Sequence, residues 1–182
     1  MIQFREDASK EAAMQTAKQM MAAAMTAPKG CGLDNIRGAI VTGEEKDILA
    51  GHMRDIAKET GEDFYARDAR NVDGSYCVLL LWTEDAPIQL TNCGLCGCED
   101  CADNRAKGVS CAFNVTDLGI AVGSAVAFAA DNRVDSRVLF SAGKGAARMD
   151  IFGDEIKVCY GIPISISSKS IYFDRGEGDV EF

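Results

Sequence analysis

The chain is poor in several residues and patterns that carry common functions. It has one histidine, His52, among 182 residues. With no partner in view on its predicted helix, His52 reads as a partly exposed helical residue rather than an acid/base group. Basic clusters are absent: 28 acidic against 19 basic side chains give a net charge of −9, so neither nucleic acid nor an anionic membrane is an expected partner. There is no proline-rich or serine-rich tract, which confines expected disorder to the ends. The opening MIQFREDASKEAAM is charged from Arg5 onward and lacks the basic and apolar regions of a signal peptide, so a cytoplasmic protein is expected. The longest apolar region, Leu118–Ala130, is rich in Gly and Ala and reads as a buried helix too short for a bilayer of ~30 Å. Gly143-Lys144-Gly145 lacks the frame of a phosphate-binding P-loop and reads as a turn, and no internal repeat is visible.

What the chain does have is cysteine, eight in all, with five in TNCGLCGCEDCADNRAKGVSC at 91–111. In the reducing compartment expected for this chain, thiols so dense point to metal or redox chemistry before a disulfide framework. As ligand spacing the segment reads Cys93-x2-Cys96-x4-Cys101-x9-Cys111, with Cys98 as a fifth thiol inside it. Four thiolates meet the need of an iron–sulfur cluster for one soft anionic ligand per iron. Gly94 and Gly97 allow the backbone to bend closely around such a group. Cys111 precedes a predicted helix whose positive N-terminal end favours an anion. Zinc remains open, since Cys98-x2-Cys101 supplies a second knuckle for a closed tetrahedral site. Unligated thiols are the bland alternative. Cys77, inside an apolar run, reads as inert packing, and Cys31 and Cys159 are distant in sequence.

Around this segment the pattern alternates. Ala13, Ala17, Met20, Met21, Ala24 and Met25 recur at helical spacing between Ser9 and Thr26, ended by Pro28 and Gly30. Ile36–Thr42 reads as a strand, and Glu44–Thr60 as an amphipathic helix with Ile48, Leu49, Met53, Ile56 and Ala57 inward, stopped by Gly61. Tyr76–Trp82, YCVLLLW, suits a strand covered on both faces. Val115–Ala130 reads as a central helix whose Gly119, Ala121, Gly123, Ala125 and Ala129 admit a close neighbour. Arg137–Ser141 and Ile156–Tyr160 are strand-like, with a short helix between them. The class is α+β, α/β-like in its alternation, as a single three-layer domain over 1–182; strand order does not follow from periodicity. Lys29 reads as a solvated loop lysine or a contact for an anion, and the Arg67/Asp68 and Asp174/Arg175 pairs as structural ion pairs.

The segment CGLCGCEDCA with a later Cys resembles the small iron–sulfur segment of corrinoid proteins of the carbon monoxide dehydrogenase/acetyl-CoA synthase type. More broadly, TAPKGCGLDNI at 26–36, RDARNV at 67–72, NCGLCGCEDCA at 92–102, CAFNVTDLGIAVGSAVAFA at 111–129, VDSRVLF at 134–140 and GIPISISSKSIYFDR at 161–175 resemble a bacterial and archaeal family of ferredoxin domain-containing proteins, a domain of unknown function. The resemblance implies one 4Fe-4S cluster, Cys93, Cys96, Cys101 and Cys111 as its ligands, and a redox protein as partner. Cys98 departs from the family pattern, which has an apolar or aromatic residue there. Glu99, Asp100 and Asp103 beside the loop are expected to push the potential down. TAPKG after a first helix, DLGIAVGSAVAFAADNRVDSRV and a late GIPIS are similar in order to nitroreductases. That likeness implies an α+β homodimer with FMN, although Arg5 stands alone where nitroreductases have basic and hydroxyl residues for the flavin phosphate.

Overall fold

The structure is a computed structural model, and it describes residues 2–150, 152 and 156–173. Asp174 and Arg175, expected to pair, lie outside the described residues, as does part of the 143–153 segment. Helices α1 (Arg5–Thr26), α2 (Gly43–Thr60), α3 (Asp63–Asp73), α4 (Cys101–Lys107), α5 (Ala112–Asp131) and α6 (Phe140–Ala146) accompany strands β1 (Ile36–Val41), β2 (Cys77–Thr83), β3 (Asp135–Ser136) and β4 (Val158–Ser165). The strands form one antiparallel sheet in the order β1-β2-β4-β3.

The sheet is covered on both faces, which makes three layers. All of β2 is buried, as its unbroken apolar sequence requires. Its alternate side chains go opposite ways: Cys77, Leu79 and Leu81 pack with Ala13, Ala17 and Met20 of α1 and Leu118, Ala121 and Ala125 of α5. Val78, Leu80 and Trp82 face Leu49 and Met53 of α2, Ala69 and Val72 of α3, and Ala142 and Ala146 of α6. The class expected from the sequence, α+β in three layers, is the one observed. A strand buried on both faces is usual in parallel sheets, but here antiparallel pairing carries it because helices cover both sides.

Several local expectations need correction. In α2, Ile48 is 41% exposed while Lys46 and Ala50 are buried, so the inward stripe is shifted. Arg137–Ser141 is not a strand: Leu139 makes a single bridge to Gly161, and Phe140 begins α6. Gly143-Lys144-Gly145 lies within α6 rather than in a turn. A Cβ on Gly143 would stand 1.8 Å from the Cys159 carbonyl oxygen, so only glycine lets α6 lie this close to β4. Helix α5 extends to 20 residues and is long and apolar enough to cross a membrane by length and composition. Here it serves as a core helix against α1 and the sheet, with Ala121, Ala125 and Ala129 fully buried and Ser124 Oγ donating to the Ala23 carbonyl at 2.9 Å. Gly119 and Gly123, expected to admit a neighbour, face open space.

Helix α3 has no counterpart in the sequence reading because its inward face is half polar. Arg67 and Asp68 are buried there as an ion pair at 2.8 Å, and Ser141 Oγ of α6 donates to the second Asp68 oxygen at 2.6 Å. Lys46 donates to the carbonyls of Val72 and Asp73, closing the C-terminus of α3. Lys29 does the same for α1. Its ammonium donates to the carbonyls of Ala24, Met25 and Ala27, with the side chain only 5% exposed, so it is neither solvated nor free for an anion.

Candidate metal centre

The loop from Glu84 to Asp100 leaves β2 at the edge of the three layers and leads into α4. Two tight reversals shape it. Gly97 N–H donates to the Gly94 carbonyl at 2.9 Å, with both glycines at positive φ (61° and 81°), where a side chain would be strained. Asp100 then starts α4: one of its carboxylate oxygens accepts the N–H groups of Ala102 and Asp103, each at 2.8 Å. Asp103 accepts from the Glu99 N–H at 3.1 Å and is bridged by Lys107 at 2.7 Å. Two of the three acidic residues expected to lower a cluster potential are thus engaged in holding the α4 start.

This scaffold brings five cysteines to one cavity of about 160 Å³. Cys93, Cys96 and Cys98 come from the loop, Cys101 from the first turn of α4, and Cys111 from the residue that caps α5. All four sequence-predicted ligands are in its wall, and so is Cys98. Pro87, Ile88, Leu90 and Phe113 supply an apolar flank, and Asn104 faces in from α4. All eight cysteines are free thiols; Cys98 and Cys111 are buried, and Cys93, Cys96 and Cys101 half-buried. Among the described residues no three His, Cys, Asp or Glu side chains converge on the common point that a single ion needs.

Thiolates, not thiols, bind metal, and two of the five sulfurs differ in how their surroundings treat that charge. The Cys98 backbone N–H holds Cys96 below the ordinary thiol value against burial, and the Asn104 carboxamide, near enough to favour the Cys96 anion yet outside hydrogen-bond geometry with its sulfur, adds to it along with the Cys98 thiol. Cys98 is pushed the other way, by burial first and then by the neighbouring Cys96. Cys111 stands at the start of the 20-residue helix α5. The thiols outside the cavity behave as core: burial pushes Cys77 up to about 11 and Cys159 up to about 12. Cys31 is exposed on a turn beside this site, where the Gly30 N–H donates to both Asp117 oxygens at 3.0 Å and Gly30 packs close to Phe113 and Ile88.

The sequence reading missed two residues. Asn104 is 1% and Asn114 2% exposed, and neither side-chain oxygen nor nitrogen of either finds a hydrogen-bond partner. Burying one such polar group unpaired costs roughly 1–3 kcal/mol, so two whole carboxamides are a conspicuous charge against stability. A signal was available: Cys101-Ala-Asp-Asn104 and Cys111-Ala-Phe-Asn114 repeat one pattern at two helix starts.

The thiol cavity can now be set beside known proteins. Residues 107–175 match the model of a family described as "Uncharacterized protein containing a ferredoxin domain", DUF2148. A protein of Archaeoglobus fulgidus, itself described only as uncharacterized, is 37% identical over 164 residues, covering 86% of this chain and 88% of its own. The chain belongs to this ferredoxin-domain family. The matched segment of the family model holds α5, α6 and β4, and of the cavity cysteines it includes Cys111. In three dimensions the family member is similar to a nitroreductase family protein from Clostridium novyi, with a TM-score of 0.60 at 12% identity over 94% of this chain and 80% of the other. A putative nitroreductase in complex with FMN from Desulfovibrio desulfuricans gives 0.55 at 14% identity, over 86% and 75%. The fold is that of the nitroreductases, as the order of the sequence segments suggested.

Proposed function

We propose that this protein is an iron–sulfur electron carrier that holds one 4Fe-4S cluster on Cys93, Cys96, Cys101 and Cys111. The observation that carries the reading is the convergence of a loop, a short helix and a long helix start on a single thiol-walled cavity of about 160 Å³. A lone tetrahedral zinc ion would draw its sulfurs to roughly 3.8 Å of one another, as Zn–S bonds of about 2.3 Å require, and would leave such a volume unused. A cluster bound there supplies reversible one-electron transfer, taking an electron from a donor protein and passing it to an acceptor protein. The chain contributes the rest. The Cys98 N–H favours the Cys96 thiolate, Cys98 forms part of the wall, and Ile88, Leu90 and Phe113 form an apolar flank. Leu95, between two proposed ligands and 66% exposed, lies where a redox partner would touch. The acidic surface suits a basic partner, and neither nucleic acid nor membrane is expected in that role.

The test is iron, sulfide, zinc and flavin content with the visible spectrum, on untagged protein isolated without oxygen. About four irons and four sulfides per chain are expected. One zinc per chain without iron overturns the reading in favour of a zinc-stabilised interaction module. Within the set, Cys96→Ala abolishes stable loading; full iron in that variant removes Cys96 from the ligands.

A second reading follows from the fold alone: a flavin-dependent reductase in which the cluster feeds FMN, as the FMN-bound nitroreductase neighbour suggests. A yellow chromophore released on denaturation supports it, and its absence from freshly isolated protein counts against it. With that reading goes a cytoplasmic homodimer of single-domain chains, in which the uncharged outer face of α5, including Gly119, Ile120 and Gly123, meets a second copy. Light scattering at twice 19.5 kDa is the expected result.

A further inference from the structure

Two buried carboxamides have no hydrogen-bond partner among the described residues, one in the wall of the thiol cavity and the other three residues past Cys111. Asn104 lines the cavity and Asn114 lies in the first turn of α5, and among the described residues they are the only amide side chains with both polar atoms buried and unpartnered. Each follows a proposed ligand by three residues: Asn104 shares a face of α4 with Cys101, and Asn114 lies in the first turn of α5 that Cys111 caps. Native proteins pair nearly all buried polar side chains, and the few exceptions signal a missing partner. A carboxamide offers two N–H donors, and the acceptors lacking here are those that thiolate and sulfide would provide.

We infer that Asn104 and Asn114 are positioning residues whose Nδ2–H groups donate hydrogen bonds to the sulfur atoms of the bound cluster and raise its reduction potential. The inference rests on the iron–sulfur reading above. Its physical basis is charge: reduction adds an electron, the sulfur atoms become more negative, and a donor held nearby in a dry site stabilises that state more than the oxidised one. The two asparagines also oppose the pull of Glu99, Asp100 and Asp103 on the potential.

The experiment is a redox titration of anaerobically isolated holo-protein, with wild type, Asn104→Leu and Asn114→Leu followed by visible absorption and electron paramagnetic resonance. Leucine keeps the volume and removes the donors. The expected result is a fall in the reduction equilibrium constant of roughly tenfold for each variant, which is 59 mV for one electron. A purely structural asparagine changes thermal stability and leaves the potential where it was. Loaded variants with wild-type potentials overturn the inference while the iron–sulfur reading stands. Wild-type protein without iron or sulfide overturns that reading and this inference with it. Where a leucine variant does not fold or load, reduced wild-type holo-protein carrying 15N in the asparagine side chains answers the same question. A 15N hyperfine coupling to the cluster spin supports the inference, and its absence overturns it.

Discussion

Removing the cap of α4 tests how the site retains its metal. Asp100→Ala deletes the single carboxylate oxygen that accepts both the Ala102 and the Asp103 N–H groups at 2.8 Å. An N-cap of this kind contributes about 1 kcal/mol and up to about 2. The helix has only seven residues, and Asn104 is its one fully buried side chain, so little else holds it closed. Its opening is therefore local, and a loss of 1–2 kcal/mol raises the open population roughly 5- to 30-fold. Because Cys101 leaves with the helix, iron loss to an excess of chelator is expected to accelerate by the same factor. The melting temperature of the protein barely moves, since the two main core clusters lie on the sheet. Asp100→Asn, an equally good cap, is expected to release iron at the wild-type rate. The assay is the decay of cluster absorbance under anaerobic chelator challenge. Asp100→Ala protein that loses iron no faster than wild type refutes the view that α4 closes the site.

Three further outcomes follow from the core. Asp68→Ala removes the carboxylate paired with Arg67 at 2.8 Å and the acceptor of the Ser141 hydroxyl, at about 1–3 kcal/mol, read as a fall of roughly 2–12 °C in melting temperature. Gly143→Ala places a methyl 1.8 Å from the Cys159 carbonyl oxygen and is expected to destabilise by at least about 1–3 kcal/mol, whereas Gly51→Ala, on α2 with nothing within 4 Å, stabilises by up to about 1 kcal/mol; denaturant midpoints distinguish them. Raising pH above 9 destabilises the fold. Cys77 and Cys159, pushed up to about 11 and about 12 from 9.0, stay protonated when folded while the unfolded thiols ionise. Each then costs about 1.4 kcal/mol per pH unit up to its folded value. Urea midpoints between pH 8 and 10.5 in reducing buffer check this, and a flat profile contradicts it.

Elements whose burial is purely apolar were legible from the chain: α1 through its Ala and Met spacing, β2 through YCVLLLW, α5 through its small apolar run. Helix α3 was hidden because Arg67, Asp68 and Asn71 are buried polar residues, and a periodicity of apolar residues cannot register an inward face held by an ion pair. Helix α4 was hidden by its brevity and by the cysteines themselves, which read as loop. Lys29 was misread for a related reason: its ammonium is engaged by three carbonyls of α1, and carbonyls leave no trace in the side-chain pattern.

The sequence by itself determined the class of the fold and the gathering of five thiols in one short segment, because composition and short-range spacing are properties of the chain alone; that Cys93, Cys96, Cys101 and Cys111 are the ligands is what the family resemblance implies. Tertiary structure decided the antiparallel strand order, the gathering of Cys111 and Cys98 into one cavity with the other three, the burial of Asn104 in its wall and that of Asn114 in the first turn of α5. Those depend on which elements pack together, and packing is chosen by the energy of the whole core rather than by any segment of it.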